Sequence, residues 1–458
     1  MGEYALQEEM VTKVTKSNGS STCKPVGISA DDEDDFVTFS QIRAQSESVA
    51  QFLNDNHLSK ATVATLMFSD WRMVSLLIGA SMEGCTLSPI SPVFTQDEVQ
   101  RQLVESDATV LVVDQENLER ALQLSEIMII VCSRAEKDVP SAMNLKSWNE
   151  VIRTIPNSSR QHVAISPDDV VLLPFSSGTT GLSKAVMLSH RNMSSMLAMH
   201  MKYRRHMLGL SEESQALEET MIISFPLYHV SGIGAAPLGR EIFEKVLRKF
   251  PHIQFISQGY GTTELTLISH LPDISTFGKL GSVGKLMPGL QAKIVHPVTG
   301  EELPAGEEGE LCIKGPIVML GYKNNRKATE ECIRDGWLHT GDIAKVDADG
   351  DTYIMDRLKD MIKVNGLQVV PAELECQLVT HPGILDAAVI GVPHETLGEV
   401  PKAFIVRAYE TLTEQDIHDY MNDKVAPYRQ LQGGIVFIQK VPRNSTGKGL
   451  RRELRKWN

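Results

Sequence analysis

The clearest sign of chemistry in this sequence is a run of hydroxyl and glycine residues, SSGTTGLSK, at positions 176–184. It follows the apolar run 170–175, which predicts a buried strand. A flexible loop at a strand end can wrap backbone N–H groups and hydroxyls around a polyphosphate, and Lys184 can add charge. The run is not a Walker A loop, because Ser183 stands where that motif needs glycine. Alone, such a cluster is usually an ordinary turn, so the prediction of a phosphate site depends on the rest of the chain.

Six further segments with polar or glycine residues follow in the order of the chain. They are 226–232 (PLYHVSG), 258–264 (QGYGTTE), 309–315 (GELCIKG), 337–342 (WLHTGD), 356–368 (DRLKDMIKVNGLQ) and 442–448 (PRNSTGK). Taken singly, their residues have ordinary explanations. Glu264 could be a carboxylate at a helix N-terminus, Asp342 could close a turn, and His229 could be a core histidine. Lys448 lies among several arginines, which is typical of a solvated face.

Together the seven segments resemble the adenylate-forming superfamily of acyl-CoA synthetases, luciferases and nonribosomal adenylation domains. They look most similar to the coumarate–CoA ligase-like acyl-CoA ligases, from about Thr38 to Trp457. The resemblance implies an acid–thiol ligase that uses ATP and Mg²⁺ to convert a carboxylic acid into acyl-AMP and pyrophosphate, and then forms a thioester with CoA. An aromatic or a medium- to long-chain acid is the expected substrate, in fatty acid or phenylpropanoid metabolism.

The resemblance assigns catalysis and nucleotide binding to individual residues. Lys448, Thr263 and Glu264 are the expected catalytic residues, and Glu264 is also the expected Mg²⁺ ligand, because a carboxylate suits a hard cation. The ring of Tyr260 would stack on adenine, and Asp342 would bind the ribose hydroxyls. The expected ATP and AMP contacts are Ser176, Ser177, Gly178, Thr179, Thr180, Gly181, Lys184, Ala236, Gln258, Gly259, Tyr260, Asp342, Arg357, Lys359, Lys363 and Gln368.

The same resemblance implies acyl and CoA sites and a change of conformation. Family members rotate the C-terminal domain about a hinge that matches Lys359, so that the loop with Lys448 serves adenylation and a glycine segment serves thioester formation. Asn365 and Gly366 are the expected CoA contacts, although plant members commonly have lysine at the position of Asn365. The expected acyl pocket consists of His229, Gly261, Leu267 and Ile268.

The sequence departs from the family between His229 and Gly239, where two turns are fused near residues 232–234. Relatives carry an insertion there that completes the main sheet and one wall of the acyl pocket. The missing part corresponds to two βαβ units, roughly 60–70 residues, and its loss would expose strand edges. A splice form or mis-joined gene model, or trimming in evolution, would explain it. The alternatives for function are therefore a catalytically impaired splice form or pseudoenzyme that acts by binding and, from elsewhere in the superfamily, an amino-acid adenylation domain.

The pattern of elements favours an α/β fold. Strand-like and helix-like segments alternate from residue 36 onward, which predicts a large N-terminal domain of mostly parallel sheets with packed helices. Thr95 with Glu98 three residues later has the spacing of a capping box. Beyond residue 356, where Pro371 opens a helix, the pattern predicts a small α+β C-terminal domain. The predicted organisation is an AMP-binding domain at 1–355, shortened near 232–234, a hinge at 356–360 and a C-terminal lid domain at 361–458.

Composition restricts the class of protein. The formal charge of −13 argues against nucleic acid as a partner. Six cysteines without a CxxC pair are typical of reduced thiols. A polar N-terminus, short apolar runs and the lack of a C-terminal peroxisomal tripeptide predict a cytoplasmic protein without a transmembrane segment. The expected small-molecule partners are a carboxylic acid, ATP and CoA. The expected protein partner, if there is one, is a second copy of the chain or a full-length isoform.

Overall fold

The computed structural model describes residues 25–29, 32–68, 70–124, 127–132, 144–157, 163–176, 183–208, 248, 258–272, 279, 281–358, 360–364, 367–422, 424–443 and 451–457. The chain divides into two compact units. The first consists of Met1–Ile233, Thr262–Leu267 and Pro316–Glu330, and the second of Gly234–Gly261, Ile268–Gly315 and Glu331–Asn458. The predicted domain boundary at 356–360 lies inside the second unit and stays a prediction.

Strands and helices are distributed along the described chain as follows. The strands are β1 (Pro25–Ser29), β2 (Asp32–Thr38), β3 (Thr62–Leu66), β4 (Thr86–Ile90), β5 (Ala108–Asp114), β6 (Met128–Cys132), β7 (Leu145–Ser147), β8 (Val170–Leu172), β9 (Phe175–Ser176), β10 (Lys184–Ser189), β11 (His270–Leu271), β12 (Ser282–Leu286), β13 (Gln291–Val295), β14 (Gly309–Lys314), β15 (Gly321–Tyr322), β16 (Ile333–Arg334), β17 (Trp337–Val346), β18 (Thr352–Arg357), β19 (Ile362–Val364), β20 (Leu367–Val369), β21 (Ile384–His394), β22 (Gly398–Arg407) and β23 (Ile435–Phe437). The helices are α1 (Phe39–Asp55), α2 (Arg72–Met82), α3 (Gln96–Ser106), α4 (Leu118–Leu124), α5 (Trp148–Ile152), α6 (His190–Leu208), α7 (Arg326–Cys332), α8 (Pro371–Val379), α9 (Glu414–Asn422) and α10 (Arg451–Arg455), with 3₁₀ turns at Thr263–Leu265 and Pro427–Arg429. None of these described helices is long and apolar enough to cross a bilayer.

The first unit is built on a sheet whose described strands have the order β15-β10-β8-β4-β3-β5-β6-β7, with β9 also paired to β10. The pairs from β8 to β7 in this order are parallel, whereas β10 is antiparallel to β8, β9 and β15. The core of this sheet contains the fully buried side chains of Leu66, Ile90, Leu111 and Ile129. The predicted α/β organisation with mostly parallel strands is confirmed in this sheet.

Local sequence explains how the helices of this unit begin and pack. Thr95 Oγ1 accepts a hydrogen bond from the Glu98 N–H group, and the Glu98 carboxylate accepts one from the Thr95 N–H group, so the predicted capping box is confirmed. Helix α1 begins with a second capping box, at Thr38. Helices α1 and α2 approach closely because Gly79 has no side chain; a Cβ there would lie 2.6 Å from the Ser46 carbonyl oxygen.

The second unit contains two further sheets within the described residues. In one, with the order β11-β12-β18-β17-β14-β13 and β16 beside β17, all pairs are antiparallel. In the other, with the order β20-β19-β22-β21, the pairs are antiparallel and β23 joins β22 in parallel. Helix α8 begins at Pro371, as predicted, because proline is well tolerated in the first helical turn. Side chains of α8 and α9, including Leu374 and Ile417, pack into the core of this sheet.

Candidate active site

The predicted phosphate loop is carried by two strands of the first unit. Ser176 ends β9 and Lys184 begins β10, and the two residues are direct antiparallel partners. This pairing holds the two ends of the loop beside each other. Between them, the predicted contacts Ser177, Gly178, Thr179, Thr180 and Gly181 lie outside the described residues.

The candidate catalytic pair lies next to these strands. Thr263 and Glu264 belong to the first 3₁₀ turn, which packs against β9 and β10. The Met319 N–H group donates a hydrogen bond to the backbone carbonyl of Glu264, at 2.9 Å. Leu265 is fully buried. The turn is therefore fixed to the first unit close to both ends of the phosphate loop.

The backbone is strained directly after this turn. Thr266 and Leu267 have φ angles of 53° and 118°, which are unfavourable for residues that carry a Cβ. The buried Thr266 hydroxyl stabilises the conformation by donating to the Ile317 carbonyl at 2.6 Å. Strain of this kind is concentrated at active sites and ligand clamps. The predicted acyl-pocket residue Leu267 therefore occupies a position at which the fold imposes a costly conformation.

A tyrosine that the sequence did not single out connects two of the candidate groups. The Tyr322 hydroxyl donates to Glu264 Oε1 at 2.9 Å, and the Lys184 ammonium lies over the Tyr322 ring, 4.7 Å from its centroid. The sequence signal for this residue is weak, because Gly321-Tyr322 forms a strand of two residues whose pairing with β10 only the fold reveals. The predicted site residues that the first unit brings together are Ser176, Lys184, Thr263 and Glu264.

Glu264 has a carboxylate oxygen to offer to a cation. The Tyr322 hydroxyl engages Oε1, and among the described residues no hydrogen-bond donor contacts Oε2. Carboxylate oxygens are the ligands that Mg²⁺ prefers in proteins. The half-buried Glu264 side chain therefore fits the predicted role of metal ligand.

A second group of predicted nucleotide contacts lies in the second unit. Asp342 in β17 is 4 % exposed and is the direct cross-strand partner of Arg357 in β18. The Tyr260 hydroxyl donates to Asp342 Oδ2 at 2.6 Å. Two predicted contacts, Tyr260 and Asp342, are thus in direct contact, and the backbone of a third, Arg357, lies beside them.

The segment around Tyr260 is fixed by a buried histidine. The backbone N–H group of each of Tyr260 and His270 donates to the carbonyl of the other at 3.0 Å, and their rings meet edge to face. Burial lowers the pKa of His270 to about 3, so its ring is neutral near pH 7. A Cβ on Gly259 would lie 2.9 Å from Ile268 Cδ1, so these two predicted residues are neighbours. The other predicted residues of this segment are Gln258, which is half-buried, and Gly261, which is exposed.

Three polar side chains support the turn that precedes Asp342. Glu310 Oε1 accepts a hydrogen bond from the Gly341 N–H group at 3.1 Å, and His339 Nδ1 lies 2.8 Å from Glu310 Oε2 and 3.4 Å from Cys312 Sγ. These types of atom also bind zinc, and they lie within 4.8 Å of one another. However, two ligands of a tetrahedral zinc ion lie about 3.3 Å apart, so the 2.8 Å contact is a hydrogen bond. Burial raises the pKa of Cys312 to about 12, which keeps the thiol protonated. The group therefore acts as a hydrogen-bonded support.

The predicted AMP contacts Lys363 and Gln368 lie in the paired strands β19 and β20. Lys363 and Gln368 are direct antiparallel partners. Lys363 is exposed, and its backbone N–H group donates to Glu399 Oε2 at 3.1 Å. The predicted site residues outside the described part of the chain, besides those of the phosphate loop, are His229, Ala236, Lys359, Asn365, Gly366 and Lys448.

Helix α10, which follows the loop with Lys448, is held by ion pairs. Arg451 Nη2 lies 3.0 Å from both carboxylate oxygens of Glu375. Asp360 pairs with Arg451 at 3.4 Å and with Arg455 at 3.3 Å. Asp360 belongs to the predicted hinge segment, so ion pairs connect this segment directly to helix α10.

The fold is that of adenylate-forming enzymes. The structure of ATP-bound MatB from Rhodopseudomonas palustris superposes with a TM-score of 0.81, at 22% identity, over 92% of this chain and 94% of that chain. The o-succinylbenzoate CoA synthetase of Bacillus subtilis, solved with its acyl-adenylate intermediate, gives a TM-score of 0.77 at 23% identity over the same shares of the two chains. The predicted combination of a large N-terminal and a small C-terminal domain is the architecture of these structures.

Sequence comparison identifies the family. The AMP-binding enzyme family model matches residues 20–234 and 230–323, and the model of the AMP-binding enzyme C-terminal domain matches residues 373–448. The chain is 34% identical to a protein of Arabidopsis thaliana named 4-coumarate–CoA ligase-like 6, over 81% of this chain and 77% of the relative. It is also 34% identical to the probable 4-coumarate–CoA ligase 3 of Dictyostelium discoideum, over 90% and 88%. The chain therefore belongs to the AMP-binding enzyme family and, within it, to the family of acid–CoA ligases, so the predicted resemblance is confirmed.

The comparisons also bear on the predicted internal deletion. The AMP-binding enzyme model matches the chain in two separate segments, which overlap at residues 230–234. The alignment with the Dictyostelium relative is 491 residues long, which exceeds the 458 residues of this chain. The relative therefore carries residues within the aligned region that this chain lacks, and the location of the deletion near residues 232–234 stays a prediction.

Proposed function

We propose that this chain is an ATP-dependent acid–CoA ligase, with ATP and CoA as co-substrates and Mg²⁺ as cofactor. The observation that carries the proposal is the group at the ends of the phosphate loop, where Lys184 pairs with Ser176. The Lys184 ammonium and the Glu264 carboxylate contact the same tyrosine, Tyr322. A cation and a metal-binding carboxylate at a phosphate loop are what a reaction between two anions requires.

In the first step, a carboxylate oxygen of the acid attacks the α-phosphorus of ATP. The bond between the α-phosphorus and the bridging oxygen breaks, and pyrophosphate leaves. Ser176 and Lys184 would hold the β- and γ-phosphates, and Thr263 would donate to the α-phosphate. Bound Mg²⁺ at Glu264 would neutralise phosphate charge, and Lys448 would stabilise the charge that develops during adenylation.

In the second step, the sulfur of CoA attacks the acyl carbonyl carbon of acyl-AMP. The bond to the AMP oxygen breaks, AMP leaves and the thiol proton is released. The β19–β20 hairpin segment with Lys363, Asn365, Gly366 and Gln368 would serve this step after a rotation about Lys359. Tyr260, Asp342 and Arg357 would hold the adenosine part of the nucleotide in both steps.

The substrate class is proposed to be an aromatic or a medium- to long-chain acid. Leu267 and Ile268, proposed for the acyl pocket, are apolar and favour such an acid over acetate. The names of two relatives contain 4-coumarate–CoA ligase, and 4-coumarate is an aromatic acid, which supports an aromatic substrate. A further relative, the peroxisomal OPC-8:0-CoA ligase 1 of Arabidopsis thaliana, is 31% identical over 91% of this chain and 88% of the relative, and agrees with a longer one.

The direct test is release of pyrophosphate by the purified protein with ATP, Mg²⁺ and a panel of carboxylic acids. We expect acid-dependent release and, with CoA, a thioester detected by mass spectrometry. Lys448→Ala should lower the rate of pyrophosphate release about 100-fold or more. Lys440→Ala, at an exposed lysine, is the control and should leave this rate unchanged. Release that does not depend on any acid, or that survives Lys448→Ala, would contradict the proposal.

The interrupted family match favours a second candidate, a catalytically impaired chain that acts by binding. The missing segment would supply a wall of the acyl pocket, so the acid site is the part most affected. A folded protein that binds ATP but releases no pyrophosphate with any acid would support this candidate. Recovery of release after restoring the relatives' segment at residues 232–234 would assign the defect to the deletion.

A further inference from the structure

We infer that Tyr322 is a positioning residue that sets the geometry of both the phosphate-loop lysine and the candidate metal ligand. Its hydroxyl donates to Glu264 Oε1 at 2.9 Å, and its ring lies 4.7 Å from the Lys184 ammonium. One side chain therefore contacts a cation and an anion whose sequence positions are 80 residues apart. The inference deepens the proposed function, because it rests on the roles proposed for Lys184 and Glu264.

The hydroxyl and the ring make separate contributions. By donating to Oε1, the hydroxyl fixes the rotation of the Glu264 carboxylate and directs Oε2 as the oxygen available to Mg²⁺. The electron-rich face of the ring attracts the Lys184 ammonium and holds it near the ends of the loop. Neither contact neutralises the charged group, so both charges stay available to a nucleotide.

The backbone gives Tyr322 little freedom to move. Tyr322 in β15 pairs with Val186 in β10. The N–H groups of the two residues that flank β15, Leu320 and Lys323, donate to carbonyls of β10 at 3.0 and 2.9 Å. Its own N–H group donates to Thr329 Oγ1 at 2.9 Å. The side chain is 9 % exposed. The strand that begins at Lys184 thus also fixes the residue that Lys184 contacts.

The turn with Glu264 is fastened to the same stretch of chain. Met319 donates to the Glu264 carbonyl, and the carbonyl of Ile317 accepts from the Thr266 hydroxyl. Because residues 316–323 contact both β10 and the turn, the Tyr322–Glu264 hydrogen bond joins parts that are already held in place. Loss of the hydroxyl should therefore affect the carboxylate and leave the fold intact.

The test is a double-mutant cycle on nucleotide binding, with Tyr322→Phe, Glu264→Gln and the double variant of the full chain. The readout is the affinity for a fluorescent ATP analogue, titrated with and without Mg²⁺, which does not depend on turnover. Tyr322→Phe keeps the ring, so affinity without Mg²⁺ should be unchanged. With Mg²⁺, Tyr322→Phe should weaken the affinity for the analogue about fivefold to tenfold. When Glu264→Gln is already present, adding Tyr322→Phe should weaken the affinity with Mg²⁺ by less than about twofold.

Tyr353→Phe is a matched control, because the Tyr353 hydroxyl also donates to a carboxylate, Asp347, at 3.3 Å, in the second unit. It should leave affinity for the analogue unchanged both with and without Mg²⁺. Tyr322→Leu, which also removes the ring, should weaken binding without Mg²⁺ as well, through Lys184.

Two outcomes would overturn the inference in distinguishable ways. In the first, the unmodified chain binds the analogue in a Mg²⁺-dependent manner and Tyr322→Phe binds it equally well, or the losses of affinity in Tyr322→Phe and Glu264→Gln add up in the double variant. Either result would show that Tyr322 does not position Glu264. If the unmodified chain binds no analogue with Mg²⁺, the proposed function fails and the inference fails with it. Equal melting temperatures of the chain and Tyr322→Phe show that the comparison is between folded proteins.

Discussion

The Tyr260 hydroxyl donates a hydrogen bond to Asp342 Oδ2 at 2.6 Å, although 82 residues separate the two in sequence. Asp342 is 4 % exposed, and a hydrogen bond to a buried carboxylate offsets part of the cost of removing it from water. We expect Tyr260 to stack on adenine and Asp342 to bind the ribose. The contact would therefore align these two groups with each other before a nucleotide arrives.

Removing the hydroxyl tests this alignment. Tyr260→Phe keeps the ring for stacking but takes one donor away from Asp342. We expect the KM for ATP to rise about fivefold to tenfold with a smaller change in kcat, and the free energy of unfolding to fall by about 1–2 kcal/mol. Steady-state kinetics and urea unfolding measure the two effects, with Tyr428→Phe at an exposed tyrosine as the control. An unchanged KM together with unchanged stability would show that the hydroxyl has no such role.

Glu310 should act on Asp342 through the turn between them. Its carboxylate accepts hydrogen bonds from the Gly341 N–H group and, at its other oxygen, contacts His339 Nδ1. In Glu310→Ala the Gly341 N–H group loses its acceptor, which should cost about 1–3 kcal/mol of stability and raise the KM for ATP. Glu310→Gln keeps one acceptor oxygen and should recover most of both losses. If the Ala and Gln variants behave alike in ATP kinetics, the carboxylate does not position the turn.

Local features of the structure follow from short stretches of sequence. The capping box of Thr95 and Glu98 begins α3, and Pro371 begins α8, because each signal acts through neighbouring backbone groups. The alternation of apolar runs with helix-like segments predicts the parallel sheet of the first unit, since strands β5 and β6 contain the continuous buried apolar runs 110–113 and 129–131. These elements could be placed without knowing any distant contact.

The contacts that organise the candidate site could not be predicted in this way. Tyr322 meets Glu264 across 58 residues, and Tyr260 meets Asp342 across 82. Such pairs depend on strand register, and a two-residue strand such as Gly321–Tyr322 carries no periodic signal of its own. Motif resemblance supplied candidate residues such as Glu264 and Asp342, but only the fold reveals which side chains hold them.

The buried His270 should make stability depend on pH. Burial lowers its pKa from 6.5 to about 3, so between these values the unfolded chain binds a proton at this residue and the folded chain does not. The folded state is therefore destabilised as the pH falls below 6.5, by at most about 1.4 kcal/mol per pH unit. His270→Asn lacks this titration while keeping an acceptor near the Ser269 hydroxyl, which contacts His270 Nδ1 at 3.0 Å.

Urea unfolding of both proteins at pH 7.5 and pH 5 measures the effect. The unmodified chain should lose more stability on acidification than His270→Asn, so that the difference between the two proteins narrows at pH 5. Equal losses in the two proteins would show that His270 is not buried in its neutral form.

Lys279 should stabilise the connection between β17 and β18 through three aspartates. Its ammonium lies 2.9, 2.7 and 2.9 Å from carboxylate oxygens of Asp347, Asp349 and Asp351, and the Asp351 side chain is fully buried. Lys279→Met removes the cation and leaves a buried carboxylate without it, so we expect the melting temperature at pH 7 to fall by about 5 °C. Lys327→Met, at an exposed lysine in α7, is the control and should leave the melting temperature unchanged.

The same substitution has a pH signature with a defined sign. The hydrogen bond from Lys279 lowers the pKa of Asp347 from 3.8 to about 2, so this carboxylate contributes stability above pH 3.8 that is lost as the pH falls towards 2. Lys279→Met lacks this contribution at every pH. The gap in melting temperature between the two proteins should therefore be constant from pH 7 to about pH 5 and should narrow below pH 4. A gap that widens on acidification would mean that Lys279 does not stabilise the ionised aspartates.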